Sequence, residues 1–465
     1  MAPKFGTSGL RGLVVELTDD LVASHVRGFL NGCVTGQALY IGRDLRESSP
    51  HLADVVRRTA RDFGVPTVDC GEIPTPALAL AARAAGAGAV MITGSHIPAD
   101  RNGLKFYTVA GEITKDDEAR ILSRLDLPAS DLTAPATRDL EAGDLFKERY
   151  TSAFGADALL GAKIGVYSHS SVARDMMIEI LQALGAEAIE FGRAESFVPV
   201  DTEAVDAATR AQLIAWAKEI ALDAIISTDG DADRPLLTDA QGVVVPGDVV
   251  GQITAQLLQA DVVVTPVSSN TGVEAGGKFA KVVRTRIGSP YVIAAMEDHA
   301  GAKVVGYEAN GGFLLGFDAQ GPAGLLPALP TRDCILPLLA ALVAARGENG
   351  IDIRARVARE PQRFTASDRI ENTPTEASQR YLAALAGDAG ARAALLSAVG
   401  LGAEAALDKT DGLRMTADGG QVLHLRPSGN APEFRIYTEA ESAEVASTIF
   451  NTAFRQIEAE IKAML

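Results

Sequence analysis

Short apolar runs broken by polar, glycine-rich loops recur along the chain, each run the length of a strand rather than a helix. Residues 89–92 (Ala89, Val90, Met91, Ile92) form one of them and read as a buried parallel strand. Residues 39–41 and 65–68 read as two more. Between these lies helical spacing: Leu52, Val55, Val56 and Ala60 share a face of a segment reaching about Phe63, with Ser48 and Ser49 as N-cap candidates and Pro50 in the first turn. A second helix is expected over 73–85, opened by Pro74 and Pro76. This alternation predicts right-handed βαβ crossovers and a mostly parallel sheet. The pattern restarts at 163–167, with a helix over 172–184, and again at 223–226 and 261–267. Each restart runs into a loop rich in hydroxyls or acids. Such units indicate related α/β domains, too divergent for a sequence repeat. Residues 128–137, rich in Pro, Ala, Ser and Thr, together with the charged run to Tyr150, read as the way out of the first domain. Polarity rises again over 363–375. A closing amphipathic helix over 443–464 carries Val445, Ile449, Ile457 and Ile461 on one face.

Composition narrows the class. A chain of 465 residues exceeds one ordinary core, and roughly three or four domains are expected on size. Forty-three basic against sixty acidic residues leave a net charge of −17. That argues against nucleic acid or an anionic membrane surface as partner, but leaves room for small anions held by a local arginine cluster. The three cysteines (Cys33, Cys70, Cys334) are far apart and imply neither a disulfide framework nor a zinc pair. No apolar run reaches the length of a membrane span, and the first residues lack a secretory apolar core. A cytoplasmic enzyme is the expectation.

Five segments carry candidate chemistry. The run 89–92 breaks into Thr93, Gly94, Ser95 and His96, which places a hydroxyl at a strand's carboxyl end, where open α/β sheets keep their ligand crevice. Asn102, Gly103 and Lys105 follow, and are expected to bring a turn and a cation back toward the serine. Ser95 reads as a nucleophile, or as a serine bonded to its own loop backbone. Asp229, Asp231 and Asp233 alternate in DGDADR after another strand; three carboxylates so spaced suit a hard divalent cation. An EF-hand fails there, with Arg234 at the sixth position and Ala240 at the twelfth. Residues 272–278 mimic a nucleotide-binding P-loop, but Phe279 stands where a hydroxyl would hold Mg²⁺. Glu308 and Asn310 in GYEANGG form a pair able to read sugar hydroxyls, or an ordinary Asn-Gly turn. RPSGNAPEFR, with Arg426, Ser428, Gly429, Asn430 and Arg435, reads as a phosphate cradle or as surface ion pairs. FGTSGLRG, ending near Arg11, reads as a phosphate-binding loop or a plain turn.

The order of these segments across nearly the whole chain resembles the α-D-phosphohexomutase family. That resemblance implies an α/β protein of four domains around a central cleft, the first three with related mixed α/β cores and the last a smaller α+β domain. The boundaries expected are 1–145, 146–250, 251–362 and 363–465. TGSHIPADRNGLK matches the family's phosphoserine loop, so Ser95 would carry the phosphoryl group with His96, Lys105 and Arg11 beside it. Asp229, Asp231 and Asp233, with an oxygen of Ser95 or its phosphate, would hold Mg²⁺. Glu308 and Asn310 would read the sugar, and Arg426, Ser428, Gly429, Asn430 and Arg435 would hold the non-transferred phosphate; Arg234 counts with these substrate-binding residues. The activity implied is interconversion of hexose 1-phosphate and 6-phosphate, of mannose first and glucose second, through a hexose 1,6-bisphosphate that also serves as activator. Phosphoglucosamine mutase, a non-catalytic sugar-phosphate binder and a metal-dependent phosphatase are the competing readings. The partners are small hexose phosphates, with no nucleic acid and no membrane, in a monomer or dimer. The chain departs from the family pattern at Ile97 (usually Asn), Asn310 (often Ser), Gly312 (often His) and Ser289, where an acid or histidine is common.

Overall fold

The computed structural model describes residues 3–6, 9–428 and 433–464. Four principal sheets follow one another along the chain. The first runs in the order Lys4–Phe5, Leu10–Leu13, Arg101–Thr108, Gly88–Ile92, Leu39–Arg43, Thr67–Glu72, Ala136–Arg138, with Gly111–Glu112 paired to the third of these. Its second half is parallel, as the alternation predicts, but Arg101–Thr108 and the strands beyond it are antiparallel, so the sheet is mixed. Residues 128–137 do not simply lead away: Ala136–Arg138 returns as an edge strand beside Thr67–Glu72. The expected turn at Asn102 and Gly103 is strand, since both lie inside Arg101–Thr108. Neither Ser48 nor Ser49 caps the helix Ser49–Asp62 with its side chain; both hydroxyls accept from Asn102 Nδ2 instead.

The second and third sheets repeat one plan. Lys163–Tyr167 and Ala224–Thr228 run parallel, and the chain then turns back as Pro235–Thr238, antiparallel. Val262–Pro266 and Val304–Tyr307 run parallel, and Phe313–Leu315 returns antiparallel. In the first sheet the corresponding pair is Gly88–Ile92 and Arg101–Thr108. The candidate loops after Ile92, Thr228 and Tyr307 are therefore each the connection between a parallel strand and its antiparallel return. The apolar runs are strands because Val and Ile pack well on pleated layers buried on both faces, as the fully buried Gly88–Ile92, Ala224–Thr228 and Val262–Pro266 show.

The fourth sheet is antiparallel throughout, in the order Phe364–Ile370, Phe434–Ala440, Val422–Pro427, Leu413–Ala417, Glu404–Asp408. The helix Ala443–Met464 lies on it through Ala446, Ile449, Ala453, Ile457 and Ile461. One apolar core joins the first three units, running from Cys70 through Phe146, Ile226 and Val305 to Ile353. The fourth has a separate core, from Ile370 to Ile461. No helix among the described residues is long and apolar enough to cross a membrane.

Candidate active site

A cleft of about 1060 Å³ opens between the four units and is lined by residues of every one, among them Arg11, His96, Arg234, Glu308, Arg426 and Arg435. Ser95, next to the cleft-lining His96, is wholly buried, at φ 54° in the left-handed region that L-residues rarely adopt. Its amide donates to Thr93 Oγ1 at 2.7 Å, and its hydroxyl donates to Asp229 Oδ2 at 2.6 Å across 134 residues of sequence. His96 Nδ1 lies 3.3 Å from Ser95 Oγ and accepts from Arg234 Nη1 at 2.8 Å. Burial and then the Arg234 charge push the imidazole down to about 3, so it is neutral at working pH.

The serine is thus bonded to the acidic loop, not only to its own backbone. Asp229, Asp231 and Asp233 are all buried, and one oxygen from each lies within 4.8 Å of the other two. Ala232, at φ 58°, lets the loop turn three carboxylates inward. Lys105 Nζ donates to Asp231 Oδ2 and Asp233 Oδ2, each at 2.5 Å; Thr75 Oγ1 donates to Asp231 Oδ2 at 2.6 Å. Arg332 Nη2 reaches Asp233 Oδ2 at 2.9 Å. Burial and the neighbouring acids hold Asp229 well above the usual carboxylate range. At Asp231 burial acts upward too, but Lys105 and Thr75 outweigh it; at Asp233 Arg332 and Lys105 do the same. Asp231 Oδ1 and Asp233 Oδ1 remain buried without a hydrogen-bond donor. Buried carboxylate oxygens in that condition are costly unless a cation meets them. An all-oxygen donor set with two such oxygens fits a hard divalent ion.

Lys105, expected to return toward Ser95, donates to two acids of the loop to which the serine is bonded. Arg11, on Leu10–Leu13, faces the cleft one strand away; burial, then Arg234 and Arg332, lower its guanidinium to about 10. Glu308 is buried and accepts from Arg332 Nη1 at 3.3 Å. Asn310 spends its Oδ1 on the amide of Gly312 (3.0 Å), closing its own turn, with Gly311 at φ 86°. It lines the cleft, yet half of its hydrogen-bonding capacity belongs to the loop. Ser289 does not take the position of an acid or histidine in the cleft: its hydroxyl donates to both oxygens of Glu112 in the first unit, and Ile287 and Gly288 line the cleft there. Arg426 and Arg435 stand directly opposite each other on paired strands, and with Ser428 they face the cleft. Each also has an acidic neighbour: Asp411 at 3.5 Å from Arg426 and Glu433 at 3.4 Å from Arg435. Gly429 and Asn430 lie outside the described residues.

Sequence reasoning missed Thr75, Asp201, Thr202 and Arg332. Thr75 looks like an ordinary helix start. Arg332 sits in the strand Leu329–Asp333 with no motif around it, yet it ties Asp233 to Glu308. Asp201 Oδ2 stands 3.9 Å from His96 Nε2, and Thr202 Oγ1 donates to the Asn310 carbonyl at 3.0 Å. The one available signal was charge: Arg332 is a fully enclosed cation in an acidic chain, and such groups are buried only when paired.

The site thus joins a buried serine bonded to an acidic triad with a cleft that paired arginines of the fourth unit line. Family models agree along most of the chain. Domains I, II and III of the alpha/beta/alpha phosphoglucomutase/phosphomannomutase type match residues 2–129, 146–242 and 246–364, and the C-terminal domain of that type matches 353–456. A phosphomannomutase of Sinorhizobium fredii is 47% identical, with 96% of this chain and 97% of the relative covered. One from Salmonella muenchen is 41% identical over 98% and 96%. Phosphoglucosamine mutases stand further off, at 27% to 30%. A phosphoglucomutase/phosphomannomutase family protein of Burkholderia thailandensis has the same fold, with a TM-score of 0.77 at 21% identity over 98% and 97% of the two chains. The chain belongs to the phosphoglucomutase/phosphomannomutase family.

Proposed function

We propose that the chain is a cytoplasmic phosphohexomutase that interconverts mannose 1-phosphate and mannose 6-phosphate, and accepts the glucose phosphates as well. The observation that carries this reading is the buried pairing of Ser95 with Asp229, next to His96 and Arg234 of a cleft that Arg426 and Arg435 also line. The higher identity to phosphomannomutases supports it over phosphoglucosamine mutase, and the complete serine and acidic loops support turnover over mere binding.

Phosphorylated Ser95 faces the cleft, and a hydroxyl of the bound sugar phosphate attacks its phosphorus in line. The O–P bond to Ser95 breaks, the sugar hydroxyl loses its proton, and Ser95 Oγ regains one, leaving a hexose 1,6-bisphosphate. That intermediate turns over and returns its other phosphoryl group to Ser95. Asp229, Asp231 and Asp233, with an oxygen of Ser95 or its phosphate, would hold Mg²⁺, which would supply positive charge to the transferring oxygens. Arg11 and Arg234 line the approach and offset charge that develops there. Lys105 acts as a fixed positive charge beneath the loop. Arg426, Ser428 and Arg435, with Gly429 and Asn430, hold the phosphate that is not being transferred, and Glu308 accepts from a ring hydroxyl. Because both ends of the sugar visit both places, the clamp reads phosphate geometry rather than one sugar end.

The test is incubation with mannose 1-phosphate, Mg²⁺ and a trace of hexose 1,6-bisphosphate. Mannose 6-phosphate is the expected product; release of inorganic phosphate alone makes the protein a phosphatase, and binding without product makes it a sugar-phosphate carrier.

A further inference from the structure

The loop that carries Ser95 rests on one buried side chain from the neighbouring parallel strand's connection. Arg46 is 1% exposed and uses all five of its N–H groups. Nε donates to Asp44 Oδ2 at 3.1 Å; Nη1 donates to the carbonyls of Pro98 (2.7 Å) and Arg101 (3.0 Å); Nη2 donates to those of Ser95 (2.9 Å) and Ile97 (2.6 Å). Only a guanidinium offers five donors in one plane, so lysine cannot reproduce the arrangement. A Cβ at Gly94 would stand 2.6 Å from Arg46 Cζ, so the glycine is what lets the guanidinium in. Asp44 is fixed in turn by Ser49 Oγ at 2.6 Å and by the amides of Arg46 and Gly94. With its amide on Thr93 and its carbonyl on Arg46, Ser95 has both backbone polar groups bound in a conformation it would not otherwise hold.

The exposed face of that guanidinium is covered from another unit. Phe197, in the second unit, lies with its ring centre 3.8 Å from Arg46 Cζ. The same ring abuts Gly230 of the metal loop, where a Cβ would come within 2.7 Å of it. The segment is anchored on both sides: the Val198 amide donates to Ser170 Oγ at 2.7 Å, and Thr202 Oγ1 reaches Asn310. Neither Arg46 nor Phe197 lines the cleft.

We propose that Arg46 and Phe197 are positioning residues for Ser95: Arg46 fixes the peptide from which Oγ projects, and Phe197 makes that fixation depend on the second unit being seated against the first. Ile97, the departure in this loop, meets Arg46 through its carbonyl, and its amide donates to the Gly94 carbonyl at 3.2 Å. The proposal rests on the mutase reading for its kinetic consequence, but not for its structural one.

The experiment uses the full chain, phosphorylated on Ser95 with radiolabelled hexose 1,6-bisphosphate, and follows single-turnover transfer of the label to mannose 1-phosphate. Displacing a reacting group by about 1 Å costs on the order of 10²-fold in rate, so Phe197→Leu and Arg46→Ala are expected to slow transfer by roughly that factor. KM for the sugar and the Mg²⁺ dissociation constant should stay within about twofold, because neither variant touches substrate or metal. Phe197→Tyr should keep the wild-type rate, Arg46→Lys should not, and millimolar guanidinium should restore part of the rate to Arg46→Ala. Wild-type transfer in Phe197→Leu, or a loss of sugar or Mg²⁺ affinity as large as the loss of rate, overturns the proposal. So does a folded Arg46→Ala that guanidinium fails to rescue; if that variant does not fold, Phe197→Leu decides alone. Amide hydrogen exchange at Ser95 separates the two readings: it should be faster in Phe197→Leu even if the wild-type protein proves not to be a mutase, and unchanged exchange overturns the positioning role.

Discussion

The side of the cleft proposed to perform transfer and the side proposed to hold the idle phosphate are built differently. Ser95, the acidic triad, Lys105 and Arg332 are buried, bonded to one another, and mounted on units that share one apolar core. Arg426 and Arg435 belong to a unit with its own core, which meets the others through polar contacts. Glu439 accepts from the amide of Thr271 at 3.1 Å, Asp411 accepts from the amide of Ile287 at 3.0 Å, and Arg286 Nε donates to the Thr410 carbonyl at 3.2 Å. Polar junctions of this kind resemble transient interfaces and permit relative motion of domains, whereas a shared core does not. The difference suits a reaction in which the chemistry stays in one place while the sugar leaves its first orientation and adopts a second.

That contrast can be broken from the transfer side first. Ser95→Ala is expected to lower turnover by at least about 10³-fold while leaving the thermal melt and sugar-phosphate binding nearly unchanged; near-normal turnover would remove Ser95 from the mechanism. Lys105→Met leaves two buried acids short of their cation, so it should cost about 3 kcal/mol of stability in chelator, part of it restored by Mg²⁺. Thermal melts with and without Mg²⁺ check this, and turnover should fall about 10²-fold. On the holding side the effect moves to KM: Arg435→Ala should raise KM for mannose 1-phosphate by about 10-fold to 100-fold and lower kcat less. An equal fall in both arms would place Arg435 in the chemistry and dissolve the distinction.

A smaller effect is expected with pH. Glu203 lines the cleft, and burial, then Asp201, push its carboxyl from 4.5 up to about 7 against the pull of Arg234 and Arg435. The neutral form is the one the fold favours, so stability falls as pH rises from 4.5 to about 7, and above that a new negative charge faces an anionic substrate. KM should therefore rise about twofold to threefold between pH 6 and pH 8 in the wild type, and Glu203→Gln should flatten the rise. The smallest change is expected from Glu439→Gln at the junction: a shift in KM of about twofold, with single-turnover transfer from Ser95 unaltered.

The strand-and-loop alternation, the acidic triad and the paired arginines were legible because each is local. Val262–Pro266 announces a buried strand by itself, and three aspartates in five residues announce a cation site. What stayed hidden depends on partners brought together from far along the chain. Thr75 meets Asp231 across 156 residues, and Arg332 joins Asp233 to Glu308 from a strand that reads as ordinary. The antiparallel return of Arg101–Thr108 was missed for a related reason. Asn102 and Gly103 are turn formers by propensity, but Asn102 is wholly buried, with its side chain on Ser48 and Ser49, and the sheet overrides the local preference.

The repeated placement of loops between a parallel strand and its antiparallel return has an evolutionary consequence. Ile92 faces Leu104, Thr228 faces Pro235 and Tyr307 faces Phe313, so each loop leaves and re-enters its sheet through a closed pair of rungs. A change of length or residue inside one such loop need not propagate into the layers beneath. Under the proposed function, a substitution at Asn310 in the loop after Tyr307 would alter substrate preference while the rungs of its sheet stay paired. One scaffold can in this way supply mutases for several hexoses without reinventing the phosphoryl step.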